Sequence, residues 1–275
     1  MSSLLANIAK SIIAKFSPKK AGNRFTDIGW FLEKILKHED DQSIKVRSLE
    51  PGKVFYQRPY ELLHTYRDIF VNEIYLFNAK QADPVILDCG SNIGLSVLYF
   101  KTIYPNALVW AFEPDKSNFE LLEKNIQQNQ LKMVNAASKA VWIQDGFISF
   151  SGKGSEASRI DAHNEDEGAH QVPCIRLKTF MQDFATIDFL KMDIEGGEYA
   201  VLKDIADELH RVQHFFLEYH GKTTETNQLN ELLEIINRQG FQVYIRNAAD
   251  KLKNPFIEKS TGTQFDVQLN IFCYK

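Results

Sequence analysis

Acidic side chains and glycines follow two apolar runs near the middle of the chain. In VILDCGSNIG, Asp88 ends the first run. The loop after it holds Gly90, Asn92 and Gly94, and Glu113 ends the next run, ALVWAFE. Glycines let a ligand approach the backbone, an acid here attracts a cationic group, and a later carboxylate can bind both ribose hydroxyls. Because G-x-G-x-x-G is absent, the pattern predicts S-adenosylmethionine rather than a dinucleotide, with Asn92 bonded to its amino-acid moiety.

A second acidic segment, KMDIEGGE, follows a later apolar run. Lys191, Asp193 and Glu195 share strand parity, and Glu198 comes near the start of the next helix. Carboxylates at a strand end can orient a hydroxyl, act as a base or bind Mg²⁺. In the alternative interpretation Glu195 and Glu198 only stabilise a helix N-terminus, by about 0.3 to 1 kcal/mol each. We predict a functional role for Asp193 and leave the role of Glu198 open.

The segment FFLEYHG ends in two further polar side chains, Glu218 and His220. Their equal strand parity places them on the same side of the sheet. Histidine is the usual general base near neutral pH, although a lone histidine is more often structural. Because this is the third polar strand end of the set, we predict that His220 is functional.

From Pro84 onward, short apolar strands alternate with amphipathic helices. This alternation is typical of βαβ units in a doubly wound, mostly parallel sheet, which is an α/β fold. The last two strands, at about 241–247 and 267–275, have no obvious helix between them and are predicted to pair antiparallel at one edge. An insertion at about 146–175 has strand-like ends and an acidic centre, which we interpret as a solvated loop or, alternatively, a lid.

Residues 1–82 are predicted to form a helical region that precedes the main domain, residues 83–275. Within residues 1–20 the apolar positions have helical spacing, and the charged residues are four lysines and no acid. Such a helix can bind a membrane surface peripherally, or it can dock on its own domain or on a second subunit of a homodimer. We favour docking.

Composition excludes several classes of protein. The 275 residues carry a formal net charge of −4, which gives no global electrostatic case for a nucleic-acid partner. No stretch approaches the roughly 18 apolar residues that a membrane span requires. Cys89, Cys174 and Cys273 are widely separated, which argues against a disulfide framework or a zinc site and favours a reducing cytoplasm.

Together these segments resemble the FkbM family of S-adenosylmethionine-dependent methyltransferases, over roughly residues 84–220 and more loosely to the C-terminus. The resemblance rests on VILDCGSNIG, AFEPD and LEKNIQQN, and above all on DFLKMDIEGGEYAVL followed by FFLEYHG. It implies the seven-stranded, Rossmann-like class I methyltransferase fold and methyl transfer, usually to an oxygen of a sugar, glycan or polyketide. The cofactor-binding roles that it implies fall on Asp88, Gly90, Asn92, Gly94 and Glu113. The acceptor-side roles fall on Asp193, Glu195, Glu218 and His220.

The predicted mechanism is in-line transfer of the sulfonium methyl group to a hydroxyl held near Asp193, with His220 taking the proton. A variant places Mg²⁺ on Asp193 with Glu218 or Glu195. The rivals are a protein or nucleic-acid methyltransferase and a catalytically silent binding scaffold. Enzymes that methylate amino groups of bases commonly carry Asn/Asp-Pro-Pro-aromatic after the fourth strand, where this chain has DIEG.

Overall fold

The computed structural model describes residues 24–38, 43–151, 159–160, 170–250, 252–257 and 265–275. The amphipathic helix predicted within residues 1–20 therefore lies outside the described residues, as does most of the centre of the predicted insertion. Over the described ranges, no helix is both long enough and apolar enough to cross a membrane.

Strands and helices alternate along most of the described chain. The strands are β1 (Lys45–Leu49), β2 (Gly52–Tyr56), β3 (Val85–Cys89), β4 (Leu108–Phe112), β5 (Val134–Ala137), β6 (Ala140–Trp142), β7 (Gly146–Ser151), β8 (Arg159–Ile160), β9 (His170–Arg176), β10 (Ile187–Met192), β11 (Val212–Gly221), β12 (Gln242–Ala249) and β13 (Val267–Tyr274). The α-helices are α1 (Trp30–His38), α2 (Pro59–Tyr66), α3 (Leu95–Ile103), α4 (Lys116–Gln128), α5 (Leu177–Met181), α6 (Glu198–Asp204) and α7 (Thr226–Arg238).

The main sheet has seven strands in the order β12-β13-β11-β10-β3-β4-β5. Strand β13 runs antiparallel to both of its neighbours, and the pairs among β11, β10, β3, β4 and β5 are parallel. The predicted α/β fold is confirmed, and the last two strands pair antiparallel at one side of the sheet. The reversed strand lies second from the edge rather than outermost, because β13 inserts between β11 and β12.

The central strands β3 and β10 bring the predicted site residues together. Strand β3 is buried except at its first residue, and all six residues of β10 are buried, as expected for central strands of a parallel sheet covered by helices. Their register pairs Asp88 with Lys191. The loops after β3, β4, β10 and β11 consequently meet at the carboxyl edge of the sheet, where ligands of such folds bind.

The predicted insertion begins within a second, smaller sheet of four strands in the order β6-β9-β7-β8. The strand-like ends predicted from the sequence are present as β7 and β9, which pair antiparallel. The four strands of this sheet come from the part of the chain between β5 and β10. Val141 in β6 belongs to the same hydrophobic cluster as residues of the main sheet.

The region before β3 is not entirely helical. Helices α1 and α2 are separated by an antiparallel hairpin of β1 and β2, where the sequence indicated only a short extended piece. A single π-helical turn, Arg67–Val71, follows α2. Aromatic side chains of this region pack against those of the sheet: ring centroids are 4.8 Å apart for Tyr75 and Phe216, and 4.8 Å for Phe77 and Phe189. The two predicted regions therefore share one hydrophobic core.

Helix ends follow the local sequence. Asp115 accepts a hydrogen bond from the backbone N–H of Asn118 and so caps the N-terminus of α4. Gly240 follows α7 with a φ of +81°, the left-handed conformation predicted for a C-terminal cap. Helix α6 ends at Asp204, and a turn and a short 3₁₀ segment, Leu209–Arg211, then bring the chain to the start of β11.

Candidate active site

A cavity of about 680 Å³ opens at the carboxyl edge of the main sheet. Its volume lies within the range of roughly 300 to 1,000 Å³ that is typical of small-molecule sites. Of the nine residues predicted to bind the cofactor or to act on the acceptor side, seven line it. They are Gly90, Asn92, Glu113, Asp193, Glu195, Glu218 and His220. The convergence of strand ends that motivated the site prediction is therefore present.

The loop after β3 needs glycine at two positions. Gly90 has a φ of +85°, and a Cβ atom there would lie 1.8 Å from the carbonyl oxygen of Asp193. Gly94 has a φ of +88°, and its Cβ would lie 2.5 Å from a methyl group of Leu122. The glycines thus allow left-handed turns and also let the loop approach the segment after β10 and helix α4. Gly94 itself does not line the cavity, whereas the residues on either side of it, Ile93 and Leu95, do.

Glu113 lies at the end of β4 with its carboxylate buried. Its two oxygens accept hydrogen bonds from the backbone N–H groups of Asn92 (2.8 Å) and Asp115 (2.9 Å). Burial raises the pKa of Glu113 to about 7, against the opposing effect of these two hydrogen bonds. The carboxylate is thus fixed at the cavity wall, and each oxygen retains a lone pair that can accept a ligand hydroxyl.

Asn92 contributes to this arrangement through its backbone. Its φ is +48°, and its side-chain oxygen accepts a hydrogen bond from the N–H of Ile93 at 2.7 Å. The side chain therefore stabilises the turn, and the backbone N–H holds Glu113. A hydrogen bond from the Asn92 amide to the amino-acid moiety of a cofactor stays a prediction.

Asp88, like Gly94, is a predicted residue that does not line the cavity. It is fully buried within β3, where Ser96 Oγ donates a hydrogen bond to it at 2.5 Å and Lys191 Nζ lies 3.5 Å from its other oxygen. Its side chain lies on the face of the sheet that α3 covers, where Ser96 of that helix donates the hydrogen bond. Asp88 supports the loop from below and does not contact the cavity directly.

His220 lines the cavity and is surrounded by carboxylates. Its Nδ1 is 3.1 Å from Oε1 of Glu198, and its Nε2 is 3.5 Å from Glu195 and 3.8 Å from Glu218. Gln268, opposite His220 in the β11–β13 register, lies 3.1 Å from Nε2. Burial lowers the pKa of His220, but the carboxylates of Glu198, Glu195 and Asp193 outweigh it and raise the pKa to about 10.

Glu198 holds this histidine, a role that the sequence left open. The Glu198 side chain is almost fully buried and accepts hydrogen bonds from the backbone N–H groups of Ile194 and Gly196. These groups belong to the turn before α6, so Glu198 orders that turn and orients His220 together. A glutamate in the first turn of a helix gives the same sequence signal whether it caps the helix or faces a site, which is why spacing alone could not decide.

Glu195 and Glu218 are carboxylates in an unfavourable environment. Burial, and then the neighbouring negative charges including that of Asp193, raise the pKa of Glu195 to about 9, against the opposing charge of His220. Burial and the charge of Asp193 raise the pKa of Glu218 to about 7, although Gln268 donates a hydrogen bond to it at 2.7 Å. The carboxylates around His220 therefore lie close enough to raise one another's pKa.

A metal ion fits this cluster only partly. Asp193, Glu195 and His220 each offer one atom within 4.8 Å of the others, whereas Glu218, a predicted ligand, is outside this set. Mg²⁺ prefers oxygen ligands in octahedral geometry, and an imidazole suits a transition metal better. The His220 nitrogens also already contact Glu198 and Gln268. The donor set therefore does not match Mg²⁺ well.

The remaining walls come from parts of the chain that the sequence did not connect with the site. One stripe of α2 and its N-cap faces the cavity through Arg58, Glu61 and Thr65, and the C-terminal segment contributes Phe265 and Gln268. Phe265 lies 5.4 Å from the His220 ring. No local motif marks these residues, because only the tertiary fold brings them to the cavity.

The sequence of the chain is similar to those of known methyltransferases. The profile of the Methyltransferase FkbM domain matches residues 88–243. Hexuronic acid methyltransferase AglP of Haloferax volcanii is 30% identical over 157 residues, which cover 53% of this chain and 60% of AglP. The 31-O-demethyl-FK506 methyltransferase FkbM of Streptomyces tacrolimicus is 24% identical over 213 residues, covering 65% of this chain and 81% of that protein.

Among solved structures, the methyltransferase FkbM of Methylobacillus flagellatus KT matches with a TM-score of 0.48 and 18% identity. The match covers 78% of this chain and 54% of that one. This chain thus spans little more than half the length of that protein and less than two thirds of AglP.

Proposed function

Because the chain belongs to the FkbM family of methyltransferases, we propose that it transfers the methyl group of S-adenosylmethionine to a hydroxyl oxygen of a sugar, a glycan or a polyketide-type product. The observation that carries the proposal is the single cavity in which buried Glu113 faces the same space as Asp193, Glu218 and His220. The names of the Haloferax and Streptomyces relatives, which refer to a hexuronic acid and to FK506, support these acceptor classes.

The residues at the donor end fit S-adenosylmethionine. Glu113 offers two oxygens to the ribose hydroxyls, and Gly90 and Asn92 line the same cavity. When bound, S-adenosylmethionine supplies an electrophilic methyl group on a cationic sulfonium. The carboxylates of Asp193 and Glu218 provide the negative potential that a cation next to the acceptor end requires.

At the acceptor end, the protein must orient one hydroxyl and take up its proton. Asp193, with its side chain about one quarter exposed, can accept a hydrogen bond from the acceptor. With its pKa raised to about 10, His220 is charged at neutral pH, so it acts as a base only if the neighbouring carboxylates lose charge. We therefore assign proton uptake to the carboxylate of Glu218, whose pKa of about 7 suits a general base, while His220 fixes Glu195 and Glu198.

A transfer assay with methyl-labelled S-adenosylmethionine on panels of sugars and polyketides tests this proposal. Once an acceptor is found, Glu218→Gln should lower kcat by about 10²- to 10⁴-fold, the usual contribution of a general base. Affinity for S-adenosylhomocysteine should change less than threefold. The matched control is Glu231→Gln, a glutamate on α7 that pairs with Lys203 away from the cavity. If His220→Asn abolished turnover while Glu218→Gln left it intact, His220 would be the base.

The metal variant makes a separate prediction. The mechanism derived from these side chains needs no metal, so dialysis against a chelator should leave turnover unchanged. Loss of turnover that added Mg²⁺ or Mn²⁺ restores would establish a metal on Asp193 and its neighbours.

Two alternative functions, a protein or nucleic-acid methyltransferase and a catalytically silent scaffold, are tested in other ways. A protein or nucleic-acid substrate would require methyl incorporation into a polymer rather than a small acceptor, and the net charge of −4 disfavours nucleic acid. A silent scaffold would keep its function in the double variant Asp193→Ala/His220→Ala.

We also propose a cytoplasmic location, which the three buried, unpaired cysteines support. Homodimer formation and peripheral membrane contact through residues 1–20 stay predictions.

A further inference from the structure

Lys191 is a buried lysine in the middle of the main sheet, and the methyl-transfer mechanism above does not use it. Only 3% of its side chain is exposed. Its ammonium group lies 2.7 Å from the carbonyl oxygen of Gly90, 3.2 Å from Oδ2 of Asp193 and 3.5 Å from Oδ1 of Asp88. A buried lysine costs several kcal/mol of desolvation unless paired, so a position with three acceptors reflects a specific arrangement.

The three acceptors belong to two different loops and the strand beneath them. Gly90 begins the loop that faces the proposed donor site, and Asp193 begins the turn of the proposed acceptor site. The same two residues also touch through their backbones, because a Cβ on Gly90 would lie 1.8 Å from the Asp193 carbonyl oxygen. Asp88 Oδ1 has no hydrogen-bond partner other than this ion pair with Lys191.

A lysine is suited to this place for a geometric reason. Its ammonium has three N–H donors and no acceptor, so one group can bond the Gly90 carbonyl and both carboxylates at once. An ion pair between Lys191 and Asp88 alone would neutralise the buried aspartate without reaching either loop. The contacts to Gly90 and Asp193 go beyond charge compensation.

We propose that Lys191 is a positioning residue that ties the Gly90 loop to the Asp193 turn and thereby fixes the separation of methyl donor and acceptor. The proposal rests on the proposed function for the meaning of that separation, but the coupling of the two loops is a property of the fold. Reacting atoms must lie about 3 to 3.5 Å apart, so a small shift of either loop would slow transfer.

Two variants test the coupling while the fold is kept. Lys191→Met alone leaves Asp88 as an unpaired buried charge and can unfold the chain. Asp88→Asn/Lys191→Met removes the bridge without that charge. Leu190→Ala is the matched control, because Leu190 is fully buried in the same strand and belongs to the core on the other face.

Hydrogen exchange of residues 90–94 and 193–197, and titration with S-adenosylhomocysteine, are the readouts. In the double variant, protection should fall at least tenfold in both segments together, and affinity should fall at least tenfold. Leu190→Ala should lower the melting temperature but leave both quantities within threefold.

Unchanged protection in the folded double variant would overturn the proposal and reduce Lys191 to a counter-ion of Asp88. If the wild-type chain does not bind S-adenosylhomocysteine, the proposed function fails, and the exchange data still decide whether Lys191 couples the loops.

Discussion

Glu113 and Asp88 show how burial separates two carboxylates that look alike in the sequence. Both end an apolar run, yet Glu113 faces the cavity and Asp88 lies beneath it, paired with Lys191. The sequence identified both as polar residues at strand ends. It could not show that Asp88 precedes the last residue of β3, whereas Glu113 follows the last residue of β4 and so reaches the edge of the sheet where the cavity opens.

Binding of S-adenosylhomocysteine should depend on pH through Glu113. Burial raises its pKa to about 7 in the ligand-free protein, against the hydrogen bonds from the backbone N–H groups of Asp115 and Asn92, which lower it. Ribose hydroxyls donate to the ionised carboxylate, so binding favours the deprotonated form. Affinity should therefore fall as pH decreases below about 7, by up to tenfold per unit, and level off above about 8. Titrations from pH 5 to 9 measure this, and Glu113→Gln should remove the slope; an identical slope in that variant would assign it to another group.

The elements around the site follow from local patterns, with exceptions that have physical causes. The helices α4 and α7 and the strands β3, β4, β10 and β11 lie where the apolar spacing predicted them. The hairpin of β1 and β2 was not predicted as such, because its pairing is decided by contacts with α4: Asn125 bonds both the N–H and the carbonyl of Phe55. The position of β13 between β11 and β12 likewise depends on long-range pairing, which no local pattern encodes.

The loop after β3 yields a prediction at the element scale. Gly90→Ala combines a φ of +85° with a Cβ 1.8 Å from a backbone oxygen, so it should destabilise the fold and abolish S-adenosylhomocysteine binding. Gly240→Ala is the matched control, since its φ is +81° and nothing lies within 4 Å of its Cβ. The control should lose only the strain of a left-handed alanine, about 1 to 2 kcal/mol, and keep binding. Denaturant unfolding and titration measure both, and equal losses in the two variants would refute the close-approach argument.

At the scale of the whole molecule, the sequence predicts the region before β3 and the methyltransferase domain as separate parts. In the structure, one hydrophobic core contains residues of both. Aromatic contacts such as Phe70 with Tyr99, at 5.6 Å, cross the predicted boundary near residue 82. Asn125 adds a polar connection, because its side chain forms hydrogen bonds with the backbone of Phe55 and with the carbonyl of Ile93 in the loop after β3. The composition of either part could not reveal this, since each has a normal share of apolar residues.

The chain should therefore unfold in one transition. Asn125→Ala should lower the free energy of unfolding by about 1 to 3 kcal/mol, since it removes three buried hydrogen bonds, and should keep the transition single. The control Asn129→Ala changes the residue just after α4, which is more exposed and contacts the same hairpin through Lys53, so it should cost less. Urea unfolding followed by circular dichroism and by tryptophan fluorescence would show it. Two separated transitions would mean that the N-terminal region folds on its own.

The central claim is that the cavity binds S-adenosylmethionine through Glu113. Isothermal titration of the whole chain with S-adenosylhomocysteine tests it most directly. The variants Glu113→Ala and Glu123→Ala are titrated alongside, and Glu123, an exposed residue of α4, is the control. The account predicts micromolar or tighter binding by the wild type and by Glu123→Ala, and loss of at least tenfold in Glu113→Ala. Absence of binding by the folded wild-type chain, or equal binding by all three proteins, would contradict it.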